Sequence, residues 1–275
     1  MSQDAQPDHI SKKTIVYRIP GMEQVKVRRD VAYRAHGGAA GAPTFDVYYP
    51  TCAESVARVP AVFVVAGFPD AGYEAIVGCK FKEMGSSVSW GQLLAASGVA
   101  AITYTNREPA ADLDALLRHV RQDAAALGVD ENRLGLWASS GNVPLALSAL
   151  MREEGDRLKC AVLCYGYMLD VGGSTRVAGA AGSWGFVNPC AGKSVDDLPE
   201  DVPLFIARAG RDKIPHLNET LDRFIADALR RNLPLTFMNH QTAPHAFDLF
   251  QDDEDSRRII RQILTFIQFH LSVAS

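Results

Sequence analysis

Ser139, Ser140, Asp212 and His245 are the residues of this chain whose types and spacing could do chemistry together. The serines lie in LGLWASSGNVPLAL (134–147), between an apolar run containing Trp137 and a Gly-Asn-Val-Pro sequence that opens another apolar run. Asp212 follows the apolar run PLFIARAG, in AGRDKIP, and His245 follows PLTFMNH, in TAPHAFDLF. A serine hydroxyl is a weak nucleophile until a base takes its proton, and an imidazole base needs a carboxylate to hold its tautomer. Serine, aspartate and histidine in this order, each just past the end of an expected strand, could open an acyl bond through a covalent serine intermediate.

Between the serines, the geometry of a strained strand-to-helix turn selects Ser140. The residues two before and two after the nucleophile must be small, because strand and helix crowd there. For Ser140 these are Ala138 and Asn142, and for Ser139 they are Trp137 and Gly141, where an indole fits poorly. Asn142 departs from the usual glycine but tolerates the left-handed backbone region better than other side chains. The competing reading is that both serines merely cap the helix that follows. His240 competes with His245 but falls inside an expected strand, His216 sits in a loop near Asp212, and Asp170 is the alternative acid, one strand earlier. The acidic run DDEDS (252–256) precedes a helix, where negative charge suits the dipole, and reads as a solvated helix start.

These residues need elements to carry them. KTIVYRI, VKVRRDVAYR and TFDVYYP, rich in β-branched and aromatic residues, predict an antiparallel opening of a sheet. AVFVVAGFPD and VAAITY are continuous apolar runs, as expected of parallel strands buried on both faces. RLGLWAS, KCAVLCYGY, PLFIARAG and PLTFMNH continue the series. Helical spacing fills the gaps, in PAADLDALLRHVRQDAAALG with Pro109 at its start and Gly128 at its end, around Leu217 to Leu229, and around Ile259 to Ile267. Strand–helix alternation predicts an α/β class: a mostly parallel sheet with helices on both faces and antiparallel N-terminal strands. The segment 169–202, long, Gly/Ala-rich and weakly periodic, reads as an insertion that could cover a site.

Length and composition agree. At 275 residues one domain is expected, after a polar tail over residues 1–12. With 47% hydrophobic and 22% charged residues the composition is that of a globular chain. A net charge of −4, with no Lys/Arg cluster, argues against nucleic acid as a partner. No apolar stretch reaches the roughly 20 residues of a membrane span and no signal-peptide core is present, so a cytoplasmic location is expected. The 5 cysteines are irregularly spaced, which suits neither a disulfide framework nor a metal site.

From TFDVYYP to the last helix, the chain resembles the α/β-hydrolase superfamily, in particular its dienelactone-hydrolase-like and small carboxylesterase branches. The likeness is carried by DVYYP, AGFPD, GVDENRLGLWASSGN, AGRD and PHAF. The chain departs from the family at Ala66, where a loop histidine is usual, at Asn142, and at Ala246, where a glycine often follows the base. It has serine where dienelactone hydrolases proper use cysteine. The resemblance implies a hydrolase needing no metal or cofactor, with Ser140 as nucleophile, His245 as base and Asp212 orienting it. It also implies an oxyanion hole from the N–H of Gly141 and one from Phe68 or Gly67. The expected substrate is a small-molecule ester or related acyl compound, with peptides and thioesters as alternatives, or a ligand bound without turnover. Phe68, Tyr73, Trp90, Tyr167, Met168, Trp184, Phe186 and Phe247, near strand ends or in the insertion, supply the candidate apolar wall. The oligomeric state stays open.

Overall fold

Continuous apolar runs become the centre of the sheet, where neither face meets water. In the computed structural model, which describes residues 9–34, 41–51, 58–152 and 157–272, the strands are β1 Lys26–Ala32, β2 Thr44–Tyr49, β3 Val59–Val64, β4 Ala100–Tyr104, β5 Val129–Ser139, β6 Leu158–Cys164, β7 Leu204–Ala209 and β8 Leu235–His240. Among the described residues they form one eight-stranded sheet in the order β1-β2-β4-β3-β5-β6-β7-β8. β1 pairs with β2 and β2 with β4 antiparallel, and every other pairing is parallel. Side chains of β3, β4 and β6 are almost wholly buried, as two covered faces require.

KTIVYRI, expected as a strand, is not one. The Ile15 N–H donates to Ser89 Oγ (3.1 Å) and the Val16 N–H to the Asp248 carbonyl (2.8 Å), so its backbone donors are satisfied away from the sheet edge. Ile15 is buried in the core. The first eight residues of the expected tail lie outside the described residues. From His9 onward the chain packs on the body of the protein, with a short 3-10 turn over Ile10–Lys12.

Helices cover both faces of the sheet: α1 Asp70–Val77, α2 Gly85–Ala96, α3 Pro109–Gln122, α4 Ala124–Leu127, α5 Val143–Leu150, α6 Arg176–Trp184, α7 Leu217–Arg230, α8 Phe247–Phe250 and α9 Glu254–Ser272. The helix expected to run unbroken to Gly128 divides at Asp123 into α3 and the one-turn α4, and Gly128 ends it at φ 64°. Leu113, Leu116, Leu117 and Val120 of α3 point into the core, as their spacing predicts. The acidic run behaves as expected: Asp253 Oδ1 accepts the Ser256 N–H (2.8 Å), capping α9. The insertion 169–202 carries α6, whose first turn is held by Asp170 accepting the N–H groups of Val177 and Ala178, both at 2.9 Å. Cys160 and Cys164 are buried free thiols. Among the described residues no helix is long and apolar enough to cross a membrane.

Candidate active site

β5 ends at Ser139 and α5 begins at Val143, so a single 3-10 turn, Ser140–Asn142, must reverse the chain. Ser140 absorbs that reversal with φ 55°, a left-handed conformation that costs a residue with a Cβ about 1–2 kcal/mol. Such strain lifts its side chain clear of the strand, and Ser139 stays extended at φ −137°. The turn also closes because Ala138 is small and fully buried. Asn142 departs from the sequence reading: it is right-handed, at φ −83°, so left-handed tolerance is not its contribution. Its side-chain Oδ1 instead accepts the Gly67 N–H at 2.7 Å, tying the turn to the loop after β3.

Asp212 and His245 arrive from the ends of β7 and β8. The two loops are locked together where Gly210 donates to the His240 carbonyl (2.8 Å) and Arg211 to the Ala243 carbonyl (2.8 Å). A Cβ on Gly210 would stand 2.6 Å from the Gln241 carbonyl oxygen, so only glycine permits this approach. His245 Nδ1 lies 2.6 Å from Asp212 Oδ2, and His245 Nε2 lies 2.9 Å from Ser140 Oγ. Asp212 Oδ1 accepts the Ile214 N–H at 2.9 Å, which fixes the carboxylate. Its side chain is 0% exposed and that of His245 25%, so the acid is sheltered while the ring reaches the surface of a cleft. With the proton on Nδ1, the imidazole donates to Asp212 and accepts from the Ser140 hydroxyl, the arrangement a general base needs.

The rival residues are occupied elsewhere. His240 is buried, with Nε2 3.0 Å from Ser256 Oγ and 3.2 Å from Asp253 Oδ1. His216 lies on the surface beside Arg176 and Glu219. Asp170 caps α6, as described above.

Of the expected oxyanion donors, Gly67 has its N–H bonded within the protein, and among the described residues Gly141 and Phe68 do not. The Gly141 N–H belongs to the first turn of a helix, where the chain supplies no intrahelical acceptor. The Phe68 N–H has no acceptor among the described residues. Gly67 has spent its N–H on Asn142. Its role is steric, since a Cβ there would stand 2.9 Å from the Asn142 Cα and hold the two loops apart.

Two cavities meet at Ser140. One, of about 200 Å³, has His245, Tyr165, Trp90, Phe81 and Asp248 in its wall. The other, of about 160 Å³, is lined by Gly141, Tyr167, Trp184, Phe186 and Ile214. Phe68 and Tyr73 border both. Trp90, Tyr167, Trp184 and Phe186 therefore line these cavities, whereas Met168 and Phe247 do not. Met168 and Phe247 are fully buried in the core, Phe247 edge-on to Tyr165 at 5.5 Å. An apolar residue near a strand end can face the sheet's covering helices as readily as the cleft, and spacing does not say which.

Sequence reasoning missed Tyr165 and Asp248. Tyr165 stands at φ 35° just past β6, its ring edge-on to His245 at 5.1 Å, and its hydroxyl donates to Asp248 Oδ1 at 2.6 Å. Trp90 Nε1–H donates to Asp248 Oδ2 at 2.8 Å. Burial pushes the Asp248 carboxyl above the usual carboxylate range, and these two hydrogen bonds oppose it. The signal was a lone acid among apolar residues in HAFDLF, three after His245.

No family model matches the chain, and no curated protein matches it in sequence. Solved structures do. An α/β hydrolase enzyme from the metagenome of Lake Arreo, Spain, is 18% identical with a TM-score of 0.66, over 90% of this chain and 83% of that one. Esterase 2 of Thermogutta terrifontis is 18% identical with a TM-score of 0.63, over 91% and 97%. Esterase B from Lactobacillus rhamnosis is 14% identical with a TM-score of 0.66, over 93% and 89%. At these identities the likeness is one of architecture.

Proposed function

On the α/β-hydrolase fold that this chain carries, we propose a serine hydrolase that cleaves a carboxylic ester through an acyl-enzyme. The observation that carries the reading is the continuous contact from Ser140 Oγ to His245 Nε2 (2.9 Å) and from His245 Nδ1 to Asp212 Oδ2 (2.6 Å). In the first half-reaction Ser140 Oγ attacks the ester carbonyl carbon while Nε2 takes its proton. The carbonyl oxygen becomes an oxyanion and points at the N–H groups of Gly141 and Phe68. Collapse expels the alkoxide, to which the imidazolium returns the proton, leaving alcohol and acyl-serine. A water molecule, deprotonated by His245, then releases the acid and restores the serine. Asp212 keeps the Nδ1 proton in place and stabilises the imidazolium without taking a proton itself.

This sequence of steps assigns the cavities. The departing oxygen must lie within reach of Nε2, so the leaving group occupies the His245 side, and the acyl group the side lined by Gly141, Trp184 and Phe186. Placement in the dienelactone-hydrolase-like or small carboxylesterase branch rests on the sequence motifs alone. The names of the structural neighbours support ester chemistry, and the Thermogutta esterase was captured phosphoramylated by tabun, which suggests the reagent class for a test. A fluorophosphonate probe should label the wild-type protein covalently and leave Ser140→Ala unlabelled. Ester turnover in Ser140→Ala should fall by about 10⁶. Equal turnover in the two proteins would dismiss Ser140 as nucleophile.

A further inference from the structure

We propose that the cavity on the His245 side of Ser140 is built for a leaving group bearing a substituted ammonium, held between aromatic faces and the carboxylate of Asp248. The inference rests on the hydrolase reading for the identity of the leaving-group side, and it adds the chemical class of what sits there.

The first support is the charge inventory of the cavity. Asp248 is 3% exposed, and its two oxygens are held by neutral donors, the Tyr165 hydroxyl and the Trp90 indole N–H. Among the described residues no lysine or arginine lines the cavity, and its one imidazole, His245, is paired with Asp212. Lys13 Nζ lies 5.7 Å from the centroid of Phe250, a ring of the lining, and Lys13 itself is not part of that lining. A buried carboxylate is costly unless a positive partner answers it. Bridging an indole and a phenol needs only an acceptor, which a neutral amide would supply without that cost. A cation entering the cavity would supply the positive partner that Asp248 lacks and draw its carboxyl toward the ionised form, against the burial that raises it.

The second support is the wall. Phe68, Tyr73, Phe81, Trp90, Trp137 and Tyr165 line this one cavity. Tyr73 meets Phe68 at 53° and Phe81 at 70°, with centroids 5.5 and 5.6 Å apart, and Trp90 meets Trp137 at 40° and 4.7 Å. Rings tilted in this way turn their faces in several directions, and cations are attracted to ring faces within about 6 Å of the centroid. At about 200 Å³ the space suits a compact headgroup rather than a long chain. The acyl-side cavity has no charged residue in its lining, so the contrast lies within one cleft.

A matched pair of esters tests this, choline butyrate and 3,3-dimethylbutyl butyrate, which have the same shape and differ by the charge on one atom. The wild-type protein should favour choline butyrate in kcat/KM by about tenfold or more. In Asp248→Asn, whose amide can still accept from Trp90 and donate to Tyr165, the ratio of the two kcat/KM values should fall toward one, mainly through KM for the cationic ester. A wild-type ratio at or below one, or a ratio unmoved by the substitution, overturns the proposal. If Asp248→Asn does not fold, the wild-type ratio still decides, together with inhibition of p-nitrophenyl butyrate hydrolysis by phenyltrimethylammonium but not by tert-butylbenzene. Absence of turnover and of fluorophosphonate labelling would remove the hydrolase reading instead. The cavity is then decided by calorimetry: phenyltrimethylammonium binding that is lost in Asp248→Asn supports the ammonium site, and no binding to the wild type ends it.

Discussion

At Asp212 the carboxylate is divided between two tasks, one oxygen accepting a backbone N–H from Ile214 and the other facing His245. The first sets where the second points. Replacing the acid by an amide keeps the shape but offers the imidazole an N–H or a neutral oxygen, which favours the wrong tautomer. Asp212→Asn should therefore lower ester kcat by about 10⁴ while leaving KM within a small factor, measured by steady-state kinetics. A small change in kcat would shift the orienting role to another group. Ser140 shows the same economy, since its left-handed φ of 55° both turns the chain and exposes the hydroxyl.

Two of the elements at the site meet through a buried hydrogen bond. The loop after β3 and the turn before α5 come from separate parts of the chain, and Asn142 Oδ1 joins them by accepting from Gly67 at 2.7 Å. Removing the side chain leaves a buried N–H without an acceptor, which costs about 1–3 kcal/mol. Asn142→Ala should lower stability by that amount in urea unfolding. It should also reduce kcat, because Phe68, next along the same loop, is then free to drift from the proposed oxyanion position. Loss of stability with full kcat would show that Phe68 is positioned without Asn142.

Across the whole molecule, the wall of the cavity on the His245 side depends on a buried charge near the edge of the sheet. Lys82 Nζ donates to Asp46 Oδ1 (2.7 Å) and Asp30 Oδ1 (2.6 Å), with the side chains of Lys82 and Asp46 only 6% and 3% exposed. This pins the 3-10 turn Phe81–Glu83 to β2, and with it Phe81 and Met84 of the cavity wall. Lys82→Met would leave the Asp46 carboxylate with only the half-exposed Arg29 (3.4 Å) and the Asp30 N–H (2.9 Å), and a loss of about 3 kcal/mol is expected, seen as a fall in unfolding midpoint. A second buried acid gives a pH signature. Asp70, at the start of α1, accepts the N–H groups of Asn106 (2.9 Å) and Phe81 (3.4 Å), yet burial pushes its carboxyl above the usual range. The folded protein then holds this proton to higher pH than the unfolded chain does, so Asp70 makes stability fall as pH rises between the two values. Asp70→Asn removes that slope. In melts from about pH 4 to 7, the difference in Tm between variant and wild type should move in favour of the variant as pH rises. A difference that stays constant would mean that Asp70 ionises alike in both states.

By itself the sequence determined the α/β arrangement and the triad candidates, because both depend on local signals. Parallel strands buried on both faces must be continuous apolar runs, and Ser140, Asp212 and His245 each follow such a run in the chain order of the family the sequence resembles. Ser140 over Ser139 followed from the size of Trp137 against Ala138. Tertiary structure alone decided what depends on direction. KTIVYRI has strand composition, but its N–H groups find Ser89 and Asp248, and no local pattern encodes partners that distant. Met168 and Phe247 face the core while Phe81 and Trp137 face the cleft, a choice made by packing between elements far apart in sequence. Gly67 lost its N–H to Asn142, and Asp248 met Tyr165 and Trp90, for the same reason: side-chain hydrogen bonds form between groups that only the finished fold makes neighbours.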